Sequence, residues 1–229
     1  MITEALTYLR RSDSAARTVV IGILLSFLSF LVIPAFLVMG YTVRVIRAAL
    51  TDDEPPVFDE WGNLFVDGLK AFLIGVGYFV IPVAFVVLAV GADLVVANVS
   101  GLAGGILGAI LAVVGIVLVL ALWYVFPVGL ARFARTGRMG SAFQFGEIRP
   151  VALTSTYAVA WLLALVVSAV AGAVSNWLFS LSLLGVETLL ALGLTFYAGV
   201  VAAYLYGRGV GEATPLEPAP EEPSGRPAA

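Results

Sequence analysis

The 38-residue run LVVANVSGLAGGILGAILAVVGIVLVLALWYVFPVGLA, from Leu94 to Ala131, contains no charged side chain. Four more charge-free runs cover much of the remaining chain: Thr18 to Val43, Ala71 to Ala92, Pro150 to Val186 and Thr188 to Gly207. A helix needs about 20 apolar residues to cross a hydrocarbon core of roughly 30 Å, and an ionised side chain at mid-bilayer is costly. Each run is therefore long enough for one span, bounded by the charges on either side. Spans are predicted near 18–40, 71–91, 104–126, 151–172 and 187–206. The two longest runs exceed one span and fall short of two, and Trp177 to Leu184 reads as an interfacial or re-entrant surplus. The chain is 61% hydrophobic and 12% charged over 229 residues, whereas a soluble domain has about 45–50% apolar and about 25% charged residues. The expected fold class is all-α: a polytopic integral membrane helical bundle of five transmembrane helices, six if a Pro-broken or re-entrant segment is counted, with interfacial amphipathic helices.

The missing residue types exclude whole chemistries. With no His and no Cys, there is no imidazole base, thiolate nucleophile or disulfide, and no zinc or haem site of the usual ligand types. No G-x-S-x-G elbow, P-loop or dinucleotide fingerprint is present, so no catalytic residue is assigned and no enzymatic activity, metal or cofactor is expected. Eleven Arg stand against one Lys, Lys70, which reads as the habit of a GC-rich, halophilic source. The basic residues are too few and too dispersed for nucleic-acid binding.

Basic residues set the expected orientation, because they collect on cytoplasmic loops. Arg44, Arg47 and Lys70 separate spans one and two; Arg132, Arg135, Arg138 and Arg149 separate spans three and four; Arg208 and Arg226 follow span five. With those segments inside, the N-terminus, carrying Arg10, Arg11 and Arg17, falls outside. A hairpin broken at Pro34 would bring all twelve basic residues to one side, at the expense of a short return limb. Residues 1–17 read as an interfacial segment, with Glu4 and Asp13 arguing against a cleavable signal peptide. Residues 208–229, rich in Pro and Glu, read as a disordered acidic tail.

Two span exits look alike: FLVIPAFLVMGYTVRVIR (Phe30 to Arg47) and WYVFPVGLARFARTGR (Trp123 to Arg138) each pass from aromatics through Pro to spaced Arg. This is the pattern of a duplicated unit or of two independent interface anchors. Small residues recur every fourth position at Gly101, Gly105 and Ala109, at Ala160, Ala164, Ser168 and Gly172, and at Thr195, Gly199 and Ala203. Such rows let helices approach closely in lipid, which predicts a packed centre of spans three, four and five. Between spans one and two, Trp61, Leu64, Phe65, Gly68, Leu69 and Phe72 fall on one face of a helix, with Glu60, Asn63, Asp67 and Lys70 on the other. That describes an interfacial helix. The acids from Asp52 to Asp67 lack EF-hand spacing and read as a solvated loop. The candidate lipid or interface contacts are Arg44, Arg47, Arg132, Arg135, Arg138, Trp61 and Trp177, since Arg grips anionic headgroups and Trp favours the membrane surface.

At IPAFLVMGYTVRVIRAAL followed by PPVFDEWGNLFVDGLKAFL the chain resembles domain-of-unknown-function family 4013, uncharacterised polytopic membrane proteins common in haloarchaea. The matching residues are Pro34, Gly40, Tyr41, Arg44, Arg47, Pro56, Phe58, Trp61, Asp67 and Gly68, within a resemblance that is specific over about residues 15–90 and diffuse over the later spans. It implies a multi-pass protein of an archaeal cell membrane and carries no activity or substrate.

No acid or base lies in the middle of a predicted span, which weighs against ion-coupled transport. The expected role is a non-enzymatic membrane component acting through helix packing and through contacts with membrane lipids, a second copy or a membrane partner. The competing role is a small transporter or permease-like protein for a solute or lipid, for which a polar cavity at mid-bilayer would speak.

Overall fold

A computed structural model describes residues 1–12, 14–100, 102–181 and 185–214. Every regular element among them is helical. The α-helices are α1 (Ile2–Thr7), α2 (Ala15–Phe27), α3 (Ile33–Thr51), α4 (Trp61–Ser100), α5 (Leu102–Thr136), α6 (Phe145–Ala152), α7 (Ser155–Ser180) and α8 (Val186–Ala213). Short 3-10 turns at Tyr8–Arg11, Leu28–Leu31 and Met139–Phe143 join some of them. Five of these helices are long and apolar enough to cross a membrane: α3, α4, α5, α7 and α8, with the bent pair of residues 2–11 and 15–31 as a sixth candidate.

The predicted first span, 18–40, is two helices rather than one. The chain leaves α2 through the turn at Leu28–Leu31, passes Val32 with φ 66°, and starts α3 with Pro34 in its first turn. Proline suits that position because its missing N–H has no partner there and its φ is already helical, while a β-branched residue at positive φ makes a sharp, strained corner. The objection to a hairpin at Pro34 was the short limb before Arg44. It is removed because α3 runs on through Arg44 and Arg47 to Thr51.

The N-terminal arginines are correspondingly not on the opposite side from the basic loops. Arg11 pairs with Asp52 at the end of α3, 3.1 Å away. From there α2 runs back along α8, with Gly22 against Phe196 and Ile23 beside Gly193. The ends that converge with Asp52 and Arg47 are the last turns of α3, α5 and α8 and the first turns of α4 and α7. This is the basic end of the bundle.

Neighbouring helices are interlocked by glycine. A Cβ on Gly40 would overlap the backbone carbonyl of Leu64, and one on Gly68 the carbonyl of Phe36, so α3 and α4 lie antiparallel in backbone contact. Gly207 and Gly211 meet the carbonyls of Ile46 and Leu50, setting α8 parallel to α3, and Gly209 meets Ala160 and Tyr157 of the antiparallel α7. The packed centre is therefore α3 with α4 and α8, α8 with α7, and the end of α5, where Val128, Ala131 and Phe133 are buried against α4 and its neighbours. It is not spans three to five together: Ile110, Val113, Ile116, Val117 and Leu120 of α5 are exposed. Two of the expected small-residue rows are used in part, at Ala160 and Ala164 and at Ala203, which are buried. Gly101 lies outside the described residues, and nothing is within 4 Å of a Cβ built on Gly172 or Gly199.

At the other end of α7, Trp177 belongs to the helix itself, which continues to Ser180, rather than to a separate interfacial stretch. Helix α8 likewise continues past Arg208 to Ala213, since Arg208 and Glu212 pair one turn apart at 2.8 Å. The remainder of the acidic tail, residues 215–229, lies outside the described residues.

Gly40→Ala is expected to lower the thermal unfolding temperature in detergent by the equivalent of about 1–3 kcal/mol, the usual cost of overpacking. Gly62→Ala, with nothing within 4 Å of its added methyl, should leave stability unchanged or raise it slightly. The chain has no cysteine, so single cysteines placed at Ser12 and Gly140 report sidedness cleanly. Both are expected to label from the same face of intact vesicles, and labelling from opposite faces would contradict the α2–α3 hairpin.

Candidate functional site at the basic end of the bundle

An arginine within a helix surrounded by apolar residues needs a compensating charge or access to water. Arg44 has both helix neighbours and loop acids around it, and its side chain is only 12% exposed. It donates to Asp59 and, at 3.2 Å, to Glu60. The loop that delivers these acids is strapped down by Tyr41, whose hydroxyl donates to the Pro56 carbonyl at 3.1 Å and whose ring stacks on Phe58 at 4.2 Å. Phe58 in turn lies 6.0 Å from Trp61, the first residue of α4. One turn further along α3, Arg47 donates through Nε to the Ala134 carbonyl of α5 at 2.6 Å and through Nη2 to Asp67 of α4 at 3.2 Å. A single side chain thus ties three helices.

The same arrangement recurs after α5. Arg132 donates to Glu147, to Gln144 at 2.9 Å and to the Ser141 carbonyl at 3.2 Å, holding the 139–147 segment on the helix end. In both cases the arginine precedes its carboxylate by 15 residues. Tyr78 donates to the Ala142 carbonyl and its ring packs 5.3 Å from Phe143, so the segment is fixed on α4 as well.

A third cluster joins the two ends of the described chain. Asp52, the C-cap of α3 in a left-handed conformation with φ 59°, accepts from Arg11 at 3.1 Å and from the Tyr204 hydroxyl at 3.3 Å, and it pairs with Arg208 at 3.5 Å. Tyr8 lies on Tyr204 with ring centres 4.4 Å apart, and the Tyr197 hydroxyl donates to the Leu6 carbonyl.

Two concavities are associated with this end and with the helices leading from it. A cleft of about 310 Å³ is lined by Arg44, Arg47, Glu60, Asn63, Val66, Asp67 and Lys70. A smaller pocket of about 160 Å³ lies between α2, α3 and α8, where the hydroxyls of Ser26, Thr42 and Thr195 meet Val38, Phe196 and Val200.

The structure gathers Arg44, Arg47, Trp61 and Arg132 at the basic end and gives the arginines a fastening role that their spacing alone did not indicate. Arg135 and Arg138 are exposed, with no carboxylate partner among the described residues. Trp177 is exposed at the far end of α7, away from the cluster. Of the motif residues, Pro34 opens α3, Gly40 and Gly68 interlock α3 with α4, Tyr41, Pro56 and Phe58 form the strap, and Asp67 holds Arg47. Asp52, Arg11, Tyr204, Arg208 and Lys70 are additional members. The signal for the clasps was the repeated interval of 15 from an arginine to an acid. No group of three or more acidic side chains that could hold a metal ion converges among the described residues; Asp52, Asp59, Glu60 and Asp67 face arginines instead.

Asp52→Asn keeps the shape of the residue and removes the charge that Arg11 and Arg208 share. Because each exposed pair contributes roughly 0.2–1 kcal/mol, the unfolding temperature should fall only slightly. Tryptic cleavage at Arg10, Arg11 and Arg17 should accelerate severalfold as the N-terminal segment loosens. Asp59→Asn, which does not touch that segment, should leave the cleavage rate unchanged.

No curated protein matches the chain, and no solved structure matches it. A family described as "Protein of unknown function (DUF4013)" matches residues 27–180, from the end of α2 to the end of α7. That stretch includes the Pro34 corner, both glycine contacts between α3 and α4, and both arginine clasps, and over it the chain belongs to the DUF4013 family.

Proposed function

We propose that the protein is a multi-pass component of a cell membrane, non-enzymatic, acting through helix packing and through lipid or protein contacts at its basic end. The observation that carries this reading is the division of its surface. Exposed Val, Leu and Ile recur on α4 from Val66 to Leu88, on α5 from Ile106 to Leu120 and on α7 from Val159 to Val174, whereas the described ion pairs between helices and loops collect at one end. Apolar surface of that extent is satisfied by lipid or by another membrane helix, and charged groups at its border are satisfied by headgroups and water. The family match supports a shared architecture, and the Arg-rich, Lys-poor, acidic composition supports a halophilic archaeal source.

A transport role is the second reading, and the pocket between α2, α3 and α8 is the observation in its favour. It holds three hydroxyls and no ionisable group, in about 160 Å³. That is room for only a few waters at about 30 Å³ each, too little for a polar solute path.

The primary reading is tested by expressing the full chain, washing membranes at alkaline pH and purifying in mild detergent. It is expected to stay with the membrane fraction and to elute with bound lipid or as an assembly larger than one chain. A lone, lipid-free monomer would overturn it.

A further inference from the structure

The cleft of about 310 Å³ at the start of α4 has a composition of its own. Its lining carries three cations, Arg44, Arg47 and Lys70, against two carboxylates, Glu60 and Asp67. Arg44 is engaged by Asp59 and Glu60 and Arg47 by Asp67. Lys70 has no carboxylate within ion-pair distance among the described residues. Arg47 remains 43% exposed despite its pair, so the cleft offers an uncompensated ammonium beside a guanidinium that still reaches solvent. An ammonium and a guanidinium with free donors are the groups that bind phosphate oxygens.

The wall of the cleft does not end in water. Val66 lines it and is itself exposed, and Leu73 and Val80, seven and fourteen residues further along α4, continue the same line with Val76 and Val83 beside them, all exposed. A cationic cleft that opens onto an apolar stripe is complementary to a molecule with a phosphate at one end and hydrocarbon at the other. A free phosphate would use the first feature and leave the second unexplained.

We propose that this cleft is a binding site for a phosphate-bearing membrane lipid. Lys70 and Arg47 hold the phosphodiester, Asn63 lies beside it, and the tails lie along Val66, Leu73, Val76 and Val80. The assignment rests on the membrane reading above and makes it specific: one lipid at one place, with Lys70 as the residue that discriminates. Arg44, enclosed by Asp59 and Glu60, shapes the cleft and keeps its loop in place.

The test uses the full chain in neutral detergent, with bound species counted by native mass spectrometry. The probes are dioctanoyl phosphatidylglycerol, dioctanoylglycerol with the same tails and no phosphate, and inorganic phosphate. The phospholipid is expected to bind one per chain, and Lys70→Gln to weaken it by about fivefold, the factor one basic side chain contributes at an anionic surface. Lys70→Arg should restore binding, and Arg149→Gln, a charge outside the cleft, should leave it intact. Equal binding by Lys70→Gln and the unaltered chain would overturn the site, as would equal retention of dioctanoylglycerol or displacement of the phospholipid by millimolar phosphate. These failures leave the membrane reading standing, whereas release of the unaltered chain by the alkaline wash would remove both.

Discussion

Two residues past the middle of a largely apolar helix, Arg44 has to reach water or bring an anion to itself, and the course of the chain around it follows from the second choice. Its carboxylates come from Asp59 and Glu60, so residues 52–60 must fold back along α3 instead of continuing outward. That return delivers Trp61 to the start of α4 and lets α4 descend antiparallel to α3 at backbone contact, with Gly40 under Leu64 and Gly68 under Phe36. Arg47 extends the same requirement to α5 through the Ala134 carbonyl. Desolvating a charge is expensive and its pairing compensates only when the geometry is good, so these contacts specify one arrangement of three helices more than they add to stability.

The helical class, and four of the five helices that could span, could be read directly from the spacing of charges, because a long uncharged run has few other uses. The first span was misplaced for a physical reason. A charge does not end a helix here: Arg44 and Arg47 sit inside α3 because acids distant in sequence neutralise them there. Charge gaps locate helix ends only when the charges are solvated. The corner before Pro34 was written in the sequence as a proline, but the decisive feature, a valine at positive φ, carries no sequence signature.

The packed centre was also only half legible. Rows of Gly and Ala every fourth position occur on α5 and α7 as well as on α8, and composition cannot say which row meets a partner. The glycines that make backbone contact with α3 or from it, Gly40, Gly68, Gly207 and Gly211, are set by where α3 is placed, and that placement depends on the clasps. At the candidate site, Arg44, Arg47 and Trp61 were recognisable as interfacial. Lys70 was legible only as part of the polar face of an interfacial helix, and neither its place in the cleft nor the role of Asp52 was, since a lone lysine and one acid among six have no local pattern that marks them.

The cluster at Asp52 has a consequence for how the chain is made. Arg11 and Arg208 share this carboxylate, Tyr8 rests on Tyr204, and α3 lies parallel against α8. Arg11 can meet Asp52 once α3 is made, but the contacts of Asp52 with Arg208, of Tyr8 with Tyr204 and of α3 with α8 cannot exist until the last helix has left the ribosome. At about 5–20 residues per second, the N-terminal segment spends on the order of 10–40 s without its partners on α8 while the intervening helices are synthesised. Arg44 and Arg132 are each clasped early by an acid that follows 15 residues later. The Tyr8 ring and the open side of α3 are closed last, so the final helix acts as the keystone of assembly, and a chain truncated before Phe196 would leave the membrane machinery holding an unfinished bundle.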